Sequence, residues 1–162
     1  MNIAIQFKQI HFHTPSEHLI DGITYPMEMH VVNTLVGQAE EETTEYVVFS
    51  FLFKMGKENK FIDEFIHHIP GDQNEIEAIS TGTVNLRDLI DNNPDYNRKE
   101  VINSYFFYKG SLTTPPYTER VNWFVMKTII DASPEQIQQI NKLQGDNARR
   151  IQALYDRPVS NK

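Results

Sequence analysis

A strict two-residue alternation near the start of the chain limits what it can fold into. Polar and apolar side chains alternate through Gln9-Ile10-His11-Phe12-His13, and the pattern returns in Glu28-Met29-His30. A helix would spread these residues round its circumference, whereas an extended strand points every second side chain to the same face. Gln9, His11 and His13 therefore share one face of a strand, with Ile10 and Phe12 on the other. Glu28 and His30 share a face of a second strand, with Met29 behind them. If the two strands pair, three imidazoles converge, each with a polar neighbour one step away. Three histidines with an open fourth position form the ligand set of a catalytic zinc. Gln9 and Glu28 are of the right type to fix the tautomer and orientation of those imidazoles.

The remaining pattern supplies a scaffold. The first strand is expected over Ile3 to His13 and the second over Thr24 to Val32, with an Asp21-Gly22 hairpin signal between them. Glu45 to Met55 is strongly apolar and reads as a central strand. Lys60 to Ile69 predicts a helix, because Phe61, Ile62, Phe65, Ile66 and Ile69 recur with the 3.6-residue period. Asn59 can cap that helix and Pro70-Gly71 can end it. His67 and His68, near its end, read as surface residues. Asn85 to Asp91 is a shorter apolar-polar segment that reads as holding one helical turn, and Asn92 to Asp95 is loop chemistry. Ser104 to Lys109 and Val121 to Lys127 read as further strands. Ser133-Pro134-Glu135-Gln136 starts a second helix, with Ser as N-cap and Gln closing a capping box, and Gly145 ends it. The acidic Glu40 to Thr44 reads as a solvated loop without chemistry.

Composition excludes several function classes. Asp and Glu number 22 against 15 Lys and Arg, a net charge of -7, which argues against a nucleic-acid partner. No apolar run approaches the ~18 residues of a membrane span; the longest, Val47 to Phe53, fits a buried strand. The N-terminus shows no basic segment, long apolar core or cleavage site of a signal peptide. Cysteine is absent, so no disulfide constrains the compartment.

Two blocks carry a resemblance to a known family. Gln9-Ile10-His11-Phe12-His13-Thr14-Pro15-Ser16-Glu17-His18, then Asp21-Gly22 and Tyr25-Pro26-Met27-Glu28-Met29-His30, resembles the zinc-binding region of the α-class carbonic anhydrases, especially the bacterial branch. Tyr108-Lys109-Gly110-Ser111-Leu112-Thr113-Thr114-Pro115-Pro116, then Thr118-Glu119-Arg120-Val121-Asn122-Trp123, resembles that family's active-site loop and following strand. Asn147-Ala148-Arg149-Arg150-Ile151-Gln152 resembles its C-terminal segment, although Arg150 and Ala153 replace the usual prolines. Tyr117 stands where many bacterial relatives carry a cysteine. The resemblance implies a mainly β fold, a twisted and mostly antiparallel central sheet with peripheral helices. It runs over nearly all of residues 1–162, read as a single domain lacking the family's N-terminal third.

The resemblance also implies a chemistry: reversible hydration of carbon dioxide to bicarbonate and a proton, a zinc lyase (carbonate dehydratase) reaction. His11, His13 and His30 would bind Zn2+, with Gln9 and Glu28 behind them. Thr113 would orient the nucleophile while donating its own proton to Glu17, a positioning effect. Val32, Val48, Leu112, Val121 and Trp123 would form the apolar pocket for carbon dioxide, with Thr114 near bicarbonate. His18 matches a family histidine behind the site. The family's proton-relaying histidine has no counterpart in these residues, so turnover is expected to be limited by proton transfer. Relatives are usually periplasmic or secreted.

Two other readings fit parts of the pattern. His11-x-His13-x3-Glu17 matches half of a cupin metal motif, with Glu17 rather than His30 as the next ligand. A shortened remnant could bind zinc with weak or no catalysis, and associate with itself or with a complementary fragment through exposed sheet edges.

Overall fold

The computed structural model describes residues 4–36, 44–70, 82, 84–91 and 93–162. Ile3, Gly71, Asn92 and residues 40–43 of the expected acidic loop lie outside the described residues. The elements in chain order are β1 (Ile5–His13), β2 (Leu19–Ile20), β3 (Ile23–Thr24), β4 (Met27–Leu35) and β5 (Tyr46–Met55). They continue with α1 (Lys60–Ile66), α2 (Asp88–Asp91), α3 (Arg98–Asn103), β6 (Tyr105–Gly110), β7 (Val121–Met126), β8 (Ile130–Ala132), α4 (Pro134–Gln144) and β9 (Ser160–Asn161).

The central sheet runs β1-β4-β5-β7-β6-β9, with β8 also paired to β5. β1, β4 and β5 are antiparallel neighbours, and so are β7, β6 and β9. β7 and β8 both run parallel to β5, so the sheet is mixed while most of its pairs are antiparallel, as expected. β5 is the hub, which explains its near-continuous apolar sequence. Among the described residues, the outer edge of β1 has no partner strand. Ile5 and Phe7 there are 44% and 57% exposed.

The polar and apolar faces separate as the alternation requires. On one face Met27, Met29, Val31, Phe51 and Phe53 pack with Phe61, Ile62 and Ile66 of α1 and Ile137 and Ile140 of α4. On the other, Val32, Val48, Val121 and Trp123 form a smaller cluster with Tyr46, Tyr108 and Leu112 against it. Glu28 and His30 lie on this second face. The register sets His11 opposite His30 and His13 opposite Glu28, with an irregularity between Phe7 and Gln9.

Several boundaries differ from the sequence expectation. The expected Thr24–Val32 strand is two: β3 ends at Thr24, and β4 starts at Met27 beyond Tyr25-Pro26 and runs on to Leu35. Pro26 has no N–H for a ladder, and the N–H of Tyr25 donates instead to the Ser16 hydroxyl. The Asp21-Gly22 turn joins β2 to β3, with both residues at positive φ, 53° and 77°. That geometry suits the right-handed twist of a tight hairpin. Helix α1 stops at Ile66 rather than Ile69, with His67 as its C-cap. Asn59 does not cap α1 through its side chain, which donates to the Asp131 carbonyl instead. The α4 capping box of Ser133 and Gln136 is present. α3, capped by Asn97, was not anticipated, nor were β8 and β9.

Gly110, the last residue of β6, sits where a side chain would collide. A Cβ there would come within 2.7 Å of the Tyr108 ring and 3.1 Å of Trp123. Gly110→Ala is expected to destabilise the fold by about 1–3 kcal/mol, the usual penalty for overpacking. Denaturant unfolding checks this; an unchanged midpoint would mean that the two rings can give way.

Candidate metal centre

The site is built where β1 and β4 pair. His11 and His13 lie two apart on β1, and His30 lies across the ladder from His11. Their ring centroids are 4.7 to 5.1 Å apart. One ring nitrogen from each falls in a group whose members all lie within 4.8 Å of one another. Nδ1 of His30 faces Nε2 of His11 at 3.2 Å. His13 and His30 are buried, and His11 is half-buried.

Glu28 decides the tautomer of His30. Its Oε1 lies 2.6 Å from His30 Nε2 and 2.5 Å from His18 Nδ1. The same oxygen accepts from the Ser50 hydroxyl at 2.6 Å. Its Oε2 accepts from the main-chain N–H groups of Glu17 and His18, both at 2.8 Å. Burial alone would raise the Glu28 pKa, but His18 and His30 together hold it well below the usual carboxylate range. An ionised carboxylate only accepts, so both imidazoles donate to it. In neutral His30 the proton then sits on Nε2, and the Nδ1 lone pair points to the histidine cluster. On His18, burial is outweighed by the Glu28 carboxylate and its hydrogen bond, and the pKa is raised. His18 Nε2 lies 2.7 Å from the Tyr108 hydroxyl, which joins the centre to β6.

The fit to a metal follows from polar atoms left without partners. Nε2 of His13 is buried with no hydrogen-bond partner, Nε2 of His11 faces Nδ1 of His30 at 3.2 Å, and Glu17 Oε2 is buried without a partner as well. Buried polar atoms are rarely orphaned, and nitrogen lone pairs grouped in this way suit a tetrahedral cation taking imidazole ligands. Glu17 Oε2 lies 3.4 Å from His13 Nε2 but belongs to no ligand group, so the third member of the His11–His13 set is His30 and not the glutamate of the cupin reading.

The other expected residues divide. Glu28 contacts His30. Gln9 is exposed and does not reach His11, whose Nδ1 stays without a partner. Glu17 is buried and Thr113 half-buried, but the Thr113 hydroxyl is not bonded to Glu17, whose Oε1 accepts from the Arg149 N–H at 2.8 Å. Val32, Val48, Val121 and Trp123 are buried together, with Leu112 against them, and the Trp123 ring lies 4.8 Å from His30. Thr114 is exposed. A cavity of about 510 Å³ beside the site is lined in part by Glu17, His18, Tyr108, Thr113 and Arg149. Sequence reasoning missed Ser50 and Tyr108 as members of the hydrogen-bonded network. It also missed Asn147, whose side chain bonds the main chain at Phe12 and Thr14.

His11 and His13 are both lowered to about 4, chiefly by burial and next by the neighbouring His30. Both groups titrate near 6.5 when unfolded. As pH falls, the unfolded chain therefore binds protons first, and folded-state stability is lost between about pH 6.5 and 4. In metal-free protein the thermal midpoint is expected to begin falling below about pH 6.5, before most carboxylates titrate. His11→Gln should flatten that slope; a midpoint level down to about pH 5 would contradict the linkage.

Comparison with known proteins gives the family of the chain. The family model for eukaryotic-type carbonic anhydrase matches residues 2–162. A carbonic anhydrase of Nostoc sp. is 34% identical over 93% of this chain and 52% of its own length. Dioscorin DB3L of Dioscorea polystachya is 32% identical over 97% of the chain and 54% of its own. Among solved structures, the Thermovibrio ammonificans α-carbonic anhydrase in complex with the inhibitor sulfanilamide superposes with TM-score 0.78 at 34% identity. That likeness covers 94% of this chain and 61% of the other. A dioscorin complexed with ascorbate also gives 0.78, at 29% identity, over 97% of this chain and 60% of the other. The chain spans about half the length of the curated relatives it matches. It belongs to the eukaryotic-type (α-class) carbonic anhydrase family.

Proposed function

We propose that this protein holds Zn2+ with His11, His13 and His30 and catalyses the reversible hydration of carbon dioxide to bicarbonate and a proton. The observation that carries the reading is the convergence of the three ring nitrogens, with the His30 tautomer set by buried Glu28. Zinc bound there would supply the charge that ionises a water near neutral pH, the chemistry for which carbonic anhydrases are the type example. Neutral imidazoles leave that charge undiminished, and the lowered pKa values of His11 and His13 keep both rings neutral at pH 7.

The chain's own groups supply the rest. Val32, Val48, Leu112, Val121 and Trp123 offer an uncharged substrate an apolar place beside the histidines. Thr113 orients the attacking oxygen once its hydroxyl proton is given to Glu17, whose Oε2 is buried and has no donor. A hydroxyl that has donated its proton can only accept, so it selects a protonated oxygen and fixes the direction of its lone pair. Thr114, exposed next in the loop, would meet the more polar product. Gln9 joins this arrangement only if its side chain turns toward His11 Nδ1.

Carbonic anhydrases and dioscorins share this fold, so metal content and assay decide the activity. Zinc per chain after dialysis is expected to be about one, falling to near zero in His11→Ala, since a three-nitrogen site loses a ligand. Equal zinc in the variant would remove the basis for the reading. Proton release sets a second expectation. Of the six histidines, four cluster at the site. The other two, His67 and His68, follow α1, which packs on the opposite sheet face. Hydration should therefore accelerate as imidazole buffer is raised at constant pH; a rate independent of buffer concentration would show that the proton leaves by another route.

A further inference from the structure

The segment after α4 reaches the site through Asn147 and Arg149. Asn147 fastens this segment to the end of β1: its side chain accepts from the Thr14 N–H at 3.1 Å and donates to the Phe12 carbonyl at 3.2 Å. Two residues on, the Arg149 N–H donates to Glu17 Oε1 at 2.8 Å. The guanidinium Nη1 donates to the Ser111 hydroxyl at 3.2 Å and to the Leu112 carbonyl at 3.4 Å. The guanidinium also lies 4.1 Å from the centre of the Tyr117 ring.

These contacts surround the Thr113-bearing loop. The Leu112 carbonyl belongs to the peptide unit that begins Thr113, so anchoring it sets the plane from which the Thr113 side chain departs. The Trp123 indole N–H donates to the Ser111 carbonyl at 3.1 Å, so the loop is held from the sheet as well. Tyr117 has φ 59°, a left-handed conformation costly for a bulky residue. The guanidinium over its ring adds a cation–π attraction that favours this placement. One guanidinium nitrogen serves both acceptors while the rest of the planar group lies over the Tyr117 ring, an area of contact that the compact lysine ammonium does not match.

We propose that Arg149 is a positioning residue: its guanidinium clamps the Ser111–Thr118 loop while its main-chain N–H holds the Glu17 carboxylate, keeping Thr113 and Glu17 in one register. This rests on the metal-site reading above, and the test separates the two. The probes are benzenesulfonamide, whose ionised nitrogen keeps one N–H to donate to the Thr113 hydroxyl, and azide, which has none. Binding of each to cobalt-loaded protein is read from the visible absorption of the metal. In Arg149→Ala, benzenesulfonamide affinity should fall about tenfold, the worth of one charge-assisted hydrogen bond, with azide unchanged within about twofold. Arg149→Lys should fall between the two, and Ser111→Ala, a gentler change, should lose about threefold for benzenesulfonamide alone. Equal losses for both probes would mark a merely structural arginine, and no loss for either would also overturn the proposal. If the parent protein takes up no cobalt, the metal-site reading fails. The clamp is then judged by amide exchange: the Leu112 and Tyr117 N–H groups, bonded to the Thr118 and Thr114 carbonyls, should exchange faster in Arg149→Ala. Unchanged exchange there would overturn it.

Discussion

One buried carboxylate ties the centre together. Glu28 has no exposed surface, and its two oxygens receive two imidazoles, one hydroxyl and two main-chain N–H groups. A buried charge is tolerated only when it is paired and hydrogen-bonded, and removing one partner leaves the remainder uncompensated. Those partners come from β4, β5 and the turn after β1. The same carboxylate that orients His30 also joins three pieces of chain. The tautomer of the candidate ligand and the folding of the turn that carries Glu17 are thus one event.

The two faces of the sheet do different work because a strand can serve both. β4 sends Met27, Met29 and Val31 into the large core with α1 and α4, and sends Glu28, His30 and Val32 to the site. Large residues packed at 0% exposure leave little room for β4 to shift. A slip of one residue would exchange the faces and put the imidazoles into the apolar core. Among the described residues the helices contribute none of the clustered histidines; they pack on the face that holds β4 in the register bringing His30 opposite His11.

Much of this is legible in the order of residues. The histidine alternation, the Asp21-Gly22 turn and the α4 capping box each need only local geometry, and each is present. Boundaries set by longer-range contacts are less legible. Asn59 is spent on Asp131 and Gln136, more than seventy residues away in sequence, and so does not cap α1. The parallel pairing of β7 and β8 with β5 cannot be read from their own residues, because strand order depends on what each strand meets.

Local sequence is enough to dictate the side-chain period, the placing of His11, His13, Glu28 and His30 on common strand faces, and the family. The period and the shared faces follow from backbone geometry that repeats every two residues, whatever the chain meets later, whereas the family is carried by the resemblance of whole motif blocks. Which groups complete the site is a matter of tertiary contact. Ser50 and Tyr108 reach the Glu28 network from other strands, and Arg149 meets Glu17 across a separation of 132 residues. Gln9, which shares the correct face, stays exposed beside the irregularity in β1. Hydrogen bonds between distant segments form only after the sheet has closed, so the pattern of one strand cannot encode them.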